Sequence, residues 1–156
     1  MAIAVGSKAP AFKLLAKVGE EYDLGELIGR EKVVLMFFPL AFSSVCTEEM
    51  CAVRDEWSGW NDLGCRVFGV SIDSPFVTDR FRKELGLPFP VLSDFNKDMS
   101  AAYEALFAEF YGMRGVTKRA AVVIGRDGRV AYSWESDAAH PRMERAAIKA
   151  AVDAAP

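Results

Sequence analysis

Lys32-Val33-Val34-Leu35-Met36-Phe37-Phe38-Pro39-Leu40-Ala41-Phe42-Ser43-Ser44-Val45-Cys46-Thr47-Glu48-Glu49-Met50-Cys51 is the stretch on which the rest of the chain turns. Its opening run, Lys32 to Phe38, is apolar, β-branched and aromatic and is closed by a proline, which predicts a buried strand. After Cys46 the pattern changes. Met50, Val53, Trp57 and Trp60 recur at helical spacing, with Glu48, Glu49, Arg54, Asp55 and Glu56 between them. Ser43 or Ser44 is placed to cap that helix, and the two glutamates are expected in its first turn, where the dipole favours negative charge. Cys46 therefore falls where a buried strand hands over to the N-terminal end of a helix.

Unpaired backbone N–H groups and the positive end of a helix stabilise a thiolate, the nucleophilic form of cysteine. A free thiol titrates near ~8.5, so about 3% is ionised at neutral pH, and lowering that value to ~6 raises the ionised fraction about thirtyfold. This is small beside enzymatic accelerations of roughly 10⁶-fold and more. Efficient chemistry at such a sulfur needs further groups that stabilise charge on whatever it attacks. Ser43, just upstream, offers a hydroxyl, and an arginine from elsewhere in the chain can offer a cation.

Working outward, the 156 residues are expected to form one domain, 1–156, large enough to bury a core. Apolar residues make up 51% and charged ones 26%, as in ordinary globular proteins, and the net charge of −3 leaves no basic footprint for nucleic acid. Met1-Ala2-Ile3-Ala4-Val5 has no positive n-region and no long apolar core, so no export signal is expected, and no apolar run approaches a membrane span. Three cysteines are too few, and odd in number, for a disulfide framework. The expected compartment is the cytoplasm, where a transient catalytic disulfide is compatible and a lasting structural one is not.

Taken in order, Ala11 to Leu15 reads as a short strand, and Tyr22, Leu24, Leu27 and Ile28 as a helical turn ended by Gly29. Asn61 to Gly64 ends the helix after Cys46. Cys65 to Ile72 is a second buried strand, and the strand–helix–strand spacing predicts a right-handed parallel crossover. Asp73-Ser74-Pro75 opens a second helix with Phe76, Val77, Phe81 and Leu85 on its apolar face and Gly86 as its stop. Val91 to Ser93 is a short strand, and a third helix begins at Asn96 or Asp98, with Met99, Ala102, Tyr103 and Leu106 on one side. Residues 107–118 read as a loop. Arg119 to Ile124 and Val130 to Trp134, joined through Asp127-Gly128, form a hairpin. Pro141 to Val152 is a last helix with Met143, Ala147, Ile148 and Ala151 inward. Crossovers followed by a hairpin and a helix imply an α/β fold, a mixed central sheet flanked by helices.

Pro39, Ser43 and Cys46 match the peroxiredoxin active-site pattern Pro-x-x-x-Thr/Ser-x-x-Cys, with serine in the hydroxyl slot and Thr47 following. Arg119, opening the apolar run Ala120 to Ile124, fits the arginine of that family, and the resemblance runs from Gly6 to the terminal helix. Cys51, followed by Arg54-Asp55, resembles the Q-type (bacterioferritin comigratory) subfamily. The resemblance implies a thioredoxin-like fold with an N-terminal extension and an insertion. It implies a thiol peroxidase that reduces hydrogen peroxide and organic hydroperoxides; no cofactor is expected, and a single histidine with scattered cysteines does not make a metal site. Cys46 would attack the peroxide, Ser43 orient it, Arg119 share the charge, Pro39 shield the site, and Glu49 brace the arginine. Cys51 would resolve the oxidised Cys46 as an intramolecular disulfide, and thioredoxin or a similar dithiol would recycle it. The expected state is monomer or homodimer.

Helix geometry sets a condition on that disulfide. Cysteines five apart on an intact helix have Cα atoms roughly 8.6 Å apart, beyond the ~7 Å a bridge tolerates, so the first turns must unwind. The alternative is that an external thiol reduces Cys46 directly. A thioredoxin-fold disulfide oxidoreductase fits less well, because that chemistry uses Cys-x-x-Cys, and a non-catalytic interaction module leaves Pro39, Ser43, Cys46 and Arg119 unexplained. Cys65 opens an apolar strand and reads as a core thiol, and His140 as a surface turn residue. Phe42, Phe107, Phe110 and Tyr111 are candidates for an apolar collar or equally for core packing, and Trp57 and Trp60 for the core, with a dimer contact as the lesser reading.

Overall fold

The structure, a computed structural model, describes residues 2–156; Met1, with which the stretch read for an export signal begins, lies outside them. A hairpin of β1 (Lys13–Lys17) and β2 (Glu20–Asp23) leads through a short turn of 3₁₀ helix, Leu24–Glu26, into β3 (Lys32–Phe37). There follow α1 (Ser44–Asp55), α2 (Trp57–Asn61), β4 (Cys65–Ser71), α3 (Pro75–Leu85), β5 (Val91–Ser93) and α4 (Asp98–Ala102). A small hairpin of β6 (Glu109–Phe110) and β7 (Met113–Arg114) precedes β8 (Ala120–Ile124), β9 (Val130–Glu135) and α5 (Arg145–Ala154).

The central sheet runs β5-β4-β3-β8-β9, parallel on the β4 side of β3 and antiparallel on the other. This is the mixed α/β sheet that the residue pattern implies, in the thioredoxin-like form that the family resemblance implies, with the hairpin β1–β2 ahead of it. β3 is buried throughout, and its alternation divides the core. Val33, Leu35 and Phe37 join Phe68, Leu92, Val122 and Tyr103 on one face. Val34, Met36 and Phe38 join Cys46, Met50, Val53, Trp60, Ala121, Val123 and Ile148 on the other, beneath α1, α2 and α5.

Register explains how distant residues meet. Phe37 lies opposite Ala120, so Arg119 sits beside the end of β3 where the chain turns toward Cys46. Strand alternation then puts Arg119 on the face of Ala121 and Val123, the face that α1 covers.

Several local expectations are corrected. The helix after Cys46 is two pieces, broken at Glu56, whose carboxylate is held by Arg145 (3.1 Å) and Lys149 (2.8 Å) of α5. Phe76 is 75% exposed, and Thr78 takes the buried place on α3, its hydroxyl donating to the Ala16 carbonyl. Residues 107–118 are not all loop: Tyr111 and Gly112, both at positive φ, turn the β6–β7 hairpin. The last helix starts at Arg145, because the preceding residues are tied to α1 instead.

Candidate active site

Ser43 flanks the start of α1 in extended backbone, so Cys46 is in the helix's first turn. Ser43 occupies the capping position without capping. Its hydroxyl is turned back and donates to the Leu40 carbonyl at 2.8 Å, leaving the opening N–H groups without a side-chain cap. Glu48 and Glu49 are not in the first turn, which holds no acidic residue. They stand one turn further on, Glu48 exposed and Glu49 buried.

Cys46 is fully buried, and Arg119 Nη1 lies 3.6 Å from its Sγ, although 73 residues separate them in the chain. The same Nη1 is 2.8 Å from Glu49 Oε1, with side chains only 11% and 5% exposed. One guanidinium thus faces two groups that can both be anions. Glu49 Oε2 accepts the Met143 backbone N–H at 3.2 Å, while Oε1 has the close ion pair and no directed hydrogen bond. Burial pushes the Glu49 carboxyl above its ordinary value, against the opposing pull of Arg119, the Met143 N–H and Arg142. Arg142, which the sequence alone did not single out, pairs with Glu48 at 2.6 Å and brings the chain after β9 across α1.

The sign of the Glu49 shift gives a testable pH dependence. A carboxyl raised in the folded state adds stability below its unfolded value, and that stability is lost as pH rises through the folded value. Subtracting the unfolding free energy of Glu49→Gln from that of the wild type cancels the other carboxylates. The difference is expected to fall as pH rises from about 4.5 toward neutrality, measured by urea unfolding. A difference that climbs instead would mean that Arg119 outweighs burial.

Two depressions, of about 340 and 410 Å³, meet at Arg119, the residue that approaches the thiol, and share Pro39, Val45, Phe110 and Arg119 as a common wall. One opens beside Ser43, Leu40, Tyr111 and Met113, the other beside Phe107, Ser136 and Arg142. Phe107 stacks on Phe110 with centroids 5.1 Å apart, Tyr111 meets Phe110 edge-on at 4.6 Å, and the three form an apolar collar along the two depressions. Phe42 is not in it, for its ring packs edge-on against Phe81 at 5.2 Å.

Cys51 is half-buried in the middle of α1, and all three cysteines are free thiols. Cys65 is half-buried at the start of β4, where burial above all pushes its thiol up. Trp60 is buried and Trp57 packs at a tilt against Phe89, while His140 lies exposed beside Asp137. Among the described residues no group of three or more His, Cys, Asp or Glu is placed to hold a metal, and no helix is long and apolar enough to cross a membrane.

The same chain layout is found in known proteins. Residues 5–133 match the AhpC/TSA family. A chloroplastic 2-cysteine peroxiredoxin of Chattonella marina var. antiqua is 35% identical over 143 residues, covering 85% of this chain and 71% of its own length. A putative peroxiredoxin bcp of Coxiella burnetii is 34% identical over 139 residues, covering 86% and 89%. Among solved structures, the peroxidoxin BcpB of Mycobacterium tuberculosis superposes with a TM-score of 0.84 at 25% identity, over 97% of each chain. A buried first-turn cysteine against an arginine and relatives of this kind lead to one conclusion: the chain belongs to the AhpC/TSA family and is a peroxiredoxin, a thiol peroxidase with bacterioferritin-comigratory (Q-type) proteins among its relatives.

Proposed function

We propose that Cys46 is the peroxidatic cysteine, with residues 1–156 acting as one domain. The Cys46 thiolate attacks the terminal oxygen of a hydroperoxide. The S–O bond forms as the O–O bond breaks, leaving a sulfenic acid and an alkoxide or hydroxide that takes up a proton as alcohol or water. Arg119 stabilises the thiolate and the charge that moves onto the leaving oxygen. Ser43 turns its hydroxyl from Leu40 to the peroxide, and Pro39 with the rings of Phe107 and Phe110 keeps water from the sulfur. The 3.6 Å approach of Arg119 Nη1 to Cys46 Sγ carries this reading.

Cys51 then resolves the sulfenic acid. Its thiolate attacks the Cys46 sulfur, the S–S bond forms, the S–O bond breaks, and the departing hydroxide becomes water. Because both cysteines lie within one continuous helix, α1 must unwind between them, a local opening rather than global unfolding. Thioredoxin or a similar dithiol returns both thiols by two exchanges and leaves as its own disulfide. Such a protein works in the cytoplasm, as monomer or homodimer.

The test is intact mass after stoichiometric peroxide, for wild type and Cys51→Ser. The wild type is expected to lose two hydrogen atoms and α-helical signal, with peptide mapping joining Cys46 to Cys51. Cys51→Ser is expected to gain one oxygen on Cys46. A wild type that stops at the sulfenic acid would instead assign recycling to an external thiol.

A further inference from the structure

Asp73 follows β4 and, by sequence, only opens a helix. Its surroundings point to more. Asp73 Oδ2 accepts the Ala41 backbone N–H at 2.8 Å and the Ser71 hydroxyl at 2.8 Å, and the Asp73 carbonyl accepts the Ser93 hydroxyl at 2.6 Å. Ser71 is fully buried, and Ser93 nearly so. Asp73, its carboxylate held by the end of β4 and its backbone by the end of β5, therefore reaches across to the loop between β3 and α1, the loop that carries Pro39 and Ser43.

That loop needs an external anchor. Phe42, between Ala41 and Ser43, has φ of 69°, a conformation unfavourable for a bulky L-residue. Within the loop, the Ser43 hydroxyl and N–H both turn back to the Leu40 carbonyl, at 2.8 and 3.4 Å. Ala41 N–H, one residue before Phe42, would otherwise be free to follow the backbone to a relaxed φ. The Phe42 ring against Phe81 and the Asp73 carboxylate against Ala41 hold it from two sides.

We propose that Asp73 is a positioning residue for the peroxide site, pinning the loop so that the Ser43 hydroxyl is aimed at the substrate. This rests on the reading of Ser43 given above. Asp73 touches neither Cys46 nor Arg119 by hydrogen bond, so its effect runs through the loop.

The experiment measures the second-order rate of peroxide reduction for Asp73→Ala, Asp73→Asn, Ser71→Ala, Ser43→Ala and the double variant Ser43→Ala/Asp73→Ala. Misplacing a reacting group by about 1 Å costs up to about 100-fold, so Asp73→Ala is expected to lose roughly 10- to 100-fold. Asp73→Asn keeps an oxygen with two lone pairs for both donors and is expected to recover to within about threefold of wild type. Ser71→Ala, which frees the carboxylate without removing it, is expected to fall between. In the double variant the Asp73 change is expected to add less than about twofold to Ser43→Ala, the coupling that separates positioning from general damage. Alkylation of Cys46 by a small neutral reagent is expected to keep its wild-type rate in Asp73→Ala. A fully additive double variant, or Cys46 alkylation that changes in parallel, overturns the proposal. A slow Ser43→Ala beside an unaffected Asp73→Ala overturns Asp73 alone, whereas an unaffected Ser43→Ala overturns the reading of Ser43 beneath it.

Discussion

Cys46→Ser is expected to abolish peroxide consumption, leaving only the background rate of peroxide in buffer. The replacement changes one atom in a fully buried position. Arg119 keeps its 2.8 Å ion pair with Glu49, so the cation is not stranded and the fold is expected to persist. What the proposed reaction needs and serine lacks is a soft, ionisable sulfur: a hydroxyl is far harder to ionise than a thiol, and it cannot pass through a sulfenic acid. The other thiols do not replace it. Burial pushes the Cys65 thiol up against the weaker opposing pull of Lys32, and its sulfur donates to the Trp60 carbonyl at 3.8 Å. Cys51 sits further along α1 than the first turn, away from the helix end that favours an anion. Peroxide loss followed by dye oxidation, on protein whose circular dichroism matches wild type, decides the matter. Turnover retained above a tenth of wild type (about 1.4 kcal/mol in barrier) would move the chemistry to another sulfur.

Much of this site is written locally, and the rest is not, for reasons that can be named. Pro39, Ser43 and Cys46 lie in one short stretch between a strand that is apolar at every position and a helix with a clear apolar stripe, so sequence shows both residues and setting. Arg119 is legible only through a family pattern, because its approach to Cys46 depends on the pairing of Phe37 with Ala120 across the sheet. Asp73 and Arg142 carry no local mark at all: each acts on a segment far away, at Ala41 and Glu48. The structural misses have the same origin. Phe76 fits helical spacing but faces solvent, since Thr78 finds a backbone acceptor in Ala16. Pro141 to Glu144 would suit a helix start, yet Arg142 and Met143 bind Glu48 and Glu49, and the helix begins after them. The β6–β7 hairpin has strands too short for any period to show.

Arg119→Gln should be the next most damaging change, and it should damage two things that can be measured apart. At the sulfur it removes the cation that lies 3.6 Å away and lines both depressions. Removing one such preorganised donor costs roughly 10²- to 10³-fold in rate, and the loss should appear in the second-order constant at every peroxide concentration below saturation. At Glu49 it removes the cation from a carboxylate that is 5% exposed and already pushed toward its protonated form. Breaking a buried pair by deleting one partner costs about 3–5 kcal/mol, discounted as the carboxyl takes up a proton. Adding Glu49→Gln to Arg119→Gln removes that orphaned charge. The double variant is therefore expected to regain most of the lost stability in urea unfolding while its peroxide rate stays low. If the rate rises with the stability, Arg119 serves the fold through Glu49 and not the reaction through Cys46. If neither recovers, the Met143 N–H and not the guanidinium is what Glu49 chiefly satisfies.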